Sequence, residues 1–434
     1  MKTIRLLSIF TIFLFFAETA MAANHYIRAG AGGSTCEDWG ANACNALPAS
    51  LVRGDTYYIA GGSYGGRTFN TATSGTSVIT IKGATIADHG TGTGWSDSYS
   101  VETTQATWTS GLTFNTSYWV FDGSVGPTWS KTPSQYGFLI SPVAFALRVY
   151  NTSTAITDIT LSHIAATATS STVEKYFLST DNSTKSVNNV TVSHCYANGW
   201  ENTIWATSAG LAMNNWIFEY SVSLNGWGTA TYHGEDINNN YGNLGITVRY
   251  NWFEGRQSDG STGCIVCLNG ACQPYYIYGN VFKNMSGGNG CIAGIHYTLS
   301  GTVHNNTFIN FDTGYGNGQW IGALVTSTVY NNLVYTGNAA MGSATMHDYN
   351  AYFSTTNTPS EAHGQTGSGS PFLNLSGGNL HLSTASTPGI TLFSPYNADV
   401  DGNIRGADGL WDRGALESGG TPQKRLQAVN LQVN

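Results

Sequence analysis

Between residues 245 and 282 apolar and polar positions alternate, break at a polar turn, and begin again. The two halves, ITVRYNWF and YYIYGNVF, are copies of one phrase: β-branched or aromatic residues at every second position, a turn carrying Asn, then two further apolar residues. Period-two alternation is the signature of a strand with one buried face. Aligned on Asn251, the phrase recurs with Ile164, Cys195, Ser221, Asn280, Asn306, Asn332 and Asn350 in the same slot, at successive steps of 31, 26, 30, 29, 26, 26 and 18 residues. A period in the twenties built from short strands predicts a solenoid in which each coil packs on its neighbours. Helical periodicity of useful length is absent.

A second apolar run lies in each coil: TIWATSAG (203–210), EDINNN (235–240), CIVCLN (264–269), CIAGIH (291–296) and WIGALVT (320–326). Two or three short strands per coil, advancing ~4.8 Å each, make a parallel β-helix. Stacked Asn at a repeated turn can bond side chain to backbone along the ladder, so that slot reads as structural. His163, His194, Tyr220 and Tyr250 share the preceding slot and are expected to stack as a column.

Four segments follow from the pattern. Residues 1–22 carry Lys2 and Arg5, an apolar run and Ala20-Met21-Ala22, the form of a secretory signal peptide. Residues 23–146 form a cap and irregular first coils, 147–418 the regular coils and a closing segment, and 419–434 a Gly/Pro-led tail. No later stretch approaches the ~20 apolar residues of a membrane span, so a secreted, extracellular or periplasmic monomer is expected.

Composition narrows the partners. Removing Lys2, Arg5 and Glu18 with the leader changes 17 Lys+Arg and 25 Asp+Glu to 15 and 24, a charge of −9. That balance excludes nucleic acid, for no basic patch is present to neutralise phosphates. Seven cysteines in an oxidising compartment are expected to pair: Cys36 with Cys44, Cys264 with Cys291 as the residues preceding Ile on successive coils, and Cys267 with Cys272. A metal cluster of Cys264, Cys267 and Cys272 is the alternative, and Cys195 is expected as a buried thiol.

The segments LVRGDTYYIAGGSYGG, VITIKGAT and YWVFDG near the start, and SPFLNLSGGNLHL with NADVDGNIRGADGLWDRGALE near the end, resemble the opening and closing segments of exported bacterial right-handed parallel β-helix proteins of the pectate-lyase-like superfamily. The resemblance implies an all-β, single-stranded solenoid fold. It makes Asp399, Asp401, Arg405, Asp408 and Asp412 turn and salt-bridge residues that close the last coil. It does not fix the chemistry, because that superfamily holds lyases, glycoside hydrolases, esterases, epimerases and non-catalytic surface proteins.

The densest polar group is Tyr232-His233-Gly234-Glu235-Asp236, followed by Asn238, Asn239 and Asn240, where neighbouring coils carry Ile, Val and Ala. Matching the ends of the second runs sets Asn269 one coil on and His296 a coil beyond, on the same face. Strand alternation sends Glu235 and Asp236 to opposite sides, and Glu235 shares parity with His233, so Glu235 is expected to face solvent. Three chemistries fit these residues. A polysaccharide lyase would use His233 or His296 as base, Arg256 or Arg249 to neutralise a uronate carboxyl group, and Glu235 and Asp236 as Ca²⁺ ligands. A glycoside hydrolase would pair Glu235 with Asp236 or Asp259. A binding protein would hold a glycan against Tyr232, Trp227, Trp252, Tyr297 and Asn269. The structural alternative is that Glu235 and Asp236 form a turn pair bonding backbone amides.

Overall fold

The phrase ITVRYNWF folds as its alternation predicts. Along the strand Asn243–Arg249, Leu244, Ile246 and Val248 are buried while Gly245, Thr247 and Arg249 are open to solvent. Tyr250 then takes the left-handed conformation at φ 57°, turning the chain sharply into the strand Trp252–Glu254. This turn recurs with His163, His194, Tyr220, Tyr250, Gly279, Asn305, Asn331 and Tyr349, all at positive φ. Side chains other than Asn or Gly are strained there. Ring stacking offsets the strain: His163–His194, His194–Tyr220 and Tyr220–Tyr250 centroids are 5.0, 5.0 and 5.1 Å apart, so the expected column is present. Gly279 is required next, because a Cβ there would lie 2.6 Å from the Tyr250 ring.

In this computed structural model the described residues are 22–141, 144–168, 175–181, 183–207, 211–228, 234–240, 243–255, 257–258, 263–268, 273–285, 293–296, 300–311, 319–322, 326–342 and 346–418. Among them three parallel sheets wind around one axis. Sheet A has 12 strands from Asn24–Ile27 to Met346–Asp348, sheet B 12 from Gly62–Tyr64 to Gln365–Gly367, and sheet C nine from Thr68–Phe69 to Gln319–Ile321. From Thr56–Ile59 to Gln319–Ile321 the coils visit A, B and C in turn, and all three sheets run across residue 147. The helical content of the described residues is two 3₁₀ turns, Asp97–Tyr99 and Pro133–Gln135. The chain is an all-β, right-handed parallel β-helix.

The interior is filled by columns. On sheet C, Leu112, Leu147, Leu178, Ile204, Ile237, Ile265, Ile295 and Ile321 stand in register and are buried. Each such side chain stabilises the stack by about 1.5–3 kcal/mol. At the A–B corner the Asn slot forms the expected ladder: Asn251, Asn280, Asn306 and Asn332 each pass an amide N–H to the side-chain oxygen of the next Asn, the last being Asn350, at 2.9–3.1 Å. The ladder ends on Glu361, whose carboxylate accepts from Asn350 Nδ2 at 2.8 Å.

One expectation about the ends is corrected. Asp399, Asp408 and Asp412 do bond turn amides, and Arg405 pairs with Glu417 at 2.9 Å. They do not close the last coil. The segment runs back along the A–B corner, from Arg413 on Asn350 O, through Ile390 on Asn331 and Trp411 on Asn305, to Ala398 on the Tyr250 hydroxyl. The turn residues present side-chain amides and a hydroxyl at that corner, and this segment bonds them together with the Asn350 carbonyl.

Candidate functional site

Beside its apolar column, sheet C carries a buried polar layer. Counting back from the Ile204–Ile237 pair brings Asn202 beside Glu235 and Thr203 beside Asp236. The Glu235 amide donates to Asn202 Oδ1 at 3.3 Å, and Asn238 Nδ2 donates to Glu235 Oε2 at 2.7 Å. Asp236 Oδ1 accepts from Ser223 Oγ at 2.5 Å, and that hydroxyl lies 2.7 Å from Thr203 Oγ1. Gly234 allows this approach, since a Cβ there would meet the Trp227 carbonyl oxygen at 2.3 Å. Glu201, Asn202, Thr203, Ser223, Glu235, Asp236, Asn238 and Asn239 are all buried, none more than 3% exposed.

A layer of three acids and three amides among Ile, Val and Trp is expensive to desolvate. It is also incompletely bonded: Asn202 Nδ2, Asn238 Oδ1, Asn239 Oδ1 and the Thr207 hydroxyl have no hydrogen-bond partner. Each such orphan costs about 1–3 kcal/mol, which a purely structural turn would not accumulate. Asn239 shares strand parity with the core column and donates to Cys267 Sγ at 3.3 Å. Burial holds the nearby Tyr275 phenol proton well above its ordinary range, with a partial offset from Asn239.

The structure places the expected residues unevenly. Glu235 and Asp236 are together at the opening of the strand Ile237–Asn240, but both are buried, so Glu235 does not face solvent as parity suggested. Residue 235 precedes the strand, where alternation no longer fixes direction. His296 is displaced from its expected alignment: it pairs with Val266, and Val266 with Asn238, so its backbone joins the row of Asn238 rather than that of Asn269. The same register sets Ile265 on Ile295, and Cys264, expected in a disulfide, is a buried thiol. Cys36–Cys44 is a disulfide, and Cys267 is disulfide-bonded. Tyr232, His233, Arg256, Asp259, Asn269, Cys272, Cys291 and Tyr297, with the side chain of His296, lie outside the described residues.

Two candidates belong elsewhere. Trp252 is on sheet B, 3% exposed, with Lys131 over its ring at 4.0 Å and Trp129 packed at 5.4 Å. Its indole N–H donates to Glu254, whose burial is outweighed by bonds from Lys131, Trp252 and Lys283 that lower its pKa. Arg249 is on sheet A, bonded to Glu219 Oε2 at 2.6 Å and to the Tyr278 hydroxyl at 3.1 Å. Sequence reasoning missed Glu201, Asn202 and Thr203, and also Lys175, a buried residue whose carbonyl accepts the Glu201 amide at 3.1 Å. The signal was available in ENT, three polar residues directly before the apolar IWA.

The arrangement brings two carboxylates and an amide oxygen to the opening of one strand. Among the described residues no group of three or more His, Cys, Asp or Glu is set to hold a metal ion. The oxygen-only set of Glu235, Asp236 and the unbonded Asn238 Oδ1 is nonetheless the donor chemistry that Ca²⁺ takes. Among the described residues no helix is long and apolar enough to cross a membrane.

No protein-family model matches the chain, and no curated protein matches it in sequence. Among solved structures it is similar to pectate lyase Pel9A, with a TM-score of 0.53 and 14% identity over 92% of this chain and 97% of that one. A PL6 family alginate lyase, AlyGC, matches with a TM-score of 0.36 and 13% identity over 77% of this chain and 53% of that one. At these identities the Pel9A likeness establishes the fold.

Proposed function

We propose that the chain is an exported, polysaccharide-active lyase that cleaves a uronate-containing glycan at the opening of sheet C. The observation that carries this reading is the buried acid–amide layer around Glu235 and Asp236, which lies beside the unbroken apolar column and keeps unbonded polar atoms. The similarity to a pectate lyase fold supports it, as does the Cys36–Cys44 disulfide, a mark of an oxidising compartment.

In β-elimination a base takes the proton next to the uronate carboxyl group. The electron pair forms a ring double bond, and the glycosidic oxygen leaves with a proton. His233 or His296 is assigned as base and Arg256 as the cation facing the substrate carboxylate. Tyr232, Tyr297 and Asn269 are assigned to hold the sugar. Glu235, Asp236 and Asn238 would hold Ca²⁺, which when bound would neutralise the carboxyl group and lower the acidity barrier. That cation also answers the charge problem, because a chain of formal charge −8 repels a polyanion.

The test is incubation with uronate-containing and neutral polysaccharides, with Ca²⁺ or a chelator, reading ultraviolet absorbance and new reducing ends. Absorbance that rises with Ca²⁺ and is lost in Glu235→Gln is the expected result. New reducing ends without absorbance would replace elimination with hydrolysis by Glu235 and Asp236. Silence in both assays, or full activity in Glu235→Gln, would overturn the assignment.

A further inference from the structure

The outer face of sheet A carries none of Glu235, Asp236 or Asn238, yet it is not a plain surface. Two adjoining hollows of about 350 and 230 Å³ lie along it and meet at Asn215. Their floor is one register row: Thr160, Thr191, Ile217, Thr247 and Tyr276 pair in succession. All point away from the core, and the Tyr276 ring is 41% exposed. One wall is a second ladder, in which Asn215 Nδ2 donates to Asn189 Oδ1 at 3.1 Å and Asn189 Nδ2 to Asp158 Oδ1 at 3.4 Å.

These three wall residues hold the left-handed conformation, with φ of 59°, 53° and 59° for Asp158, Asn189 and Asn215. The strand of Asn215 bulges here, its register against Asn243–Arg249 shifting between Met213 and Trp216. Without the bulge the amides would follow strand alternation. With it they stand in line beside the hydroxyl row. Gln273 adds a further amide at the far end, opposite Asn214.

The chemistry of this groove is that of sugar recognition. Hydroxyls and amides both donate and accept, an open aromatic ring covers the apolar side of a pyranose, and methyl groups of Thr and Ile fill between. The hydroxyl row repeats at the strand spacing of ~4.8 Å, on the order of one sugar residue in an extended chain. Among the described residues the single charged lining residue is Asp158, an anion that repels a polyanion. We propose that this groove is a second glycan-binding site, which takes an extended neutral polysaccharide lying along the solenoid axis. The site does not depend on the sheet C assignment. It would hold the protein on a neutral matrix while the acid layer works on another polymer.

Affinity electrophoresis through gels containing xylan or hydroxyethyl cellulose, with polygalacturonate as the acidic counterpart, tests this directly. The full chain is retarded by at least one neutral polymer. Tyr276→Ala weakens that retention about tenfold, the equivalent of one lost ring contact. Thr247→Glu, which sets a charge in the floor, abolishes it, whereas Thr247→Val keeps the shape and retains part of it. Glu235→Gln migrates like the parent, which separates this site from the catalytic reading. The proposal is overturned if the parent is not retarded by either neutral polymer, if retention is confined to polygalacturonate, or if both Tyr276→Ala and Thr247→Glu, with unchanged melting temperature, migrate like the parent.

Discussion

One buried side chain, Asn306, makes six hydrogen bonds through its amide and backbone N–H. It accepts from the N–H and Nδ2 of Asn280, donates to Asn332 Oδ1 from both nitrogens, and donates to the carbonyls of Ile277 and His304. Asn306→Ala therefore orphans groups on both neighbouring coils and should destabilise the fold by roughly 3 kcal/mol. Urea unfolding measures it, and Asn251→Ala at the ladder's first rung should cost less. His304 has a different sensitivity. Burial pushes its pKa from 6.5 down to about 4. The folded state thus resists a proton that the unfolded chain accepts, so this contribution is complete above pH 6.5 and is lost as pH falls through 4. His304→Gln should flatten that part of the stability profile.

Elements show what the sequence makes legible. The Asn slot stands out because a turn that must bond the coil before and the coil after admits few residues. The acid layer is half legible: Glu235 and Asp236 interrupt an apolar run, whereas Glu201 and Asn202 sit where a loop is turning polar in any case. The sheet C register is the least legible. Both CIVCLN and CIAGIH offer Cys-Ile as a match, but the pairing that buries Ile265 on Ile295 wins because it continues the core column. The returning C-terminal segment hid its role for a related reason, since its partners are turn residues of coils far away in sequence. It depends on Arg405, which meets Glu417 and the Ala415 carbonyl inside the corner. Burial pushes Glu417 up to about 7 despite Arg405, so its contribution is present below pH 4.5 and fades as pH rises through 7. Arg405→Met leaves an unpaired buried carboxylate, expected to cost about 3 kcal/mol at pH 8 and less at pH 5, where Glu417 is protonated. Denaturant titrations at the two pH values check this.

At the scale of the whole molecule, a solenoid is stabilised by nearest-neighbour contacts, so distant coils can fray independently. Here one segment reaches the turns at Tyr250, Asn305, Asn331 and Asn350, coupling coils that otherwise meet only through intermediates. Deleting residues 370–418 should lower the melting temperature and broaden the transition, with amide exchange accelerated first in the strands between 275 and 348. A sharp, unchanged melt would show that the stack needs no strap.

The ladder itself has a direction. Every rung hands its proton donor toward the C-terminal coil, so five amide dipoles add head to tail, with their positive end at Asn350. Glu361 supplies an anion at that pole, bonding both the Asn350 side chain and its backbone N–H. The pole at the other end meets the Ser221 and Cys195 slots, where the polar chain dwindles to a hydroxyl and then a thiol. The corner is thus a polarised wire with a terminating charge, as an α-helix is with an acid at its N-terminus. Glu361→Gln, nearly isosteric, would remove that charge and weaken bonds several coils away from the substitution.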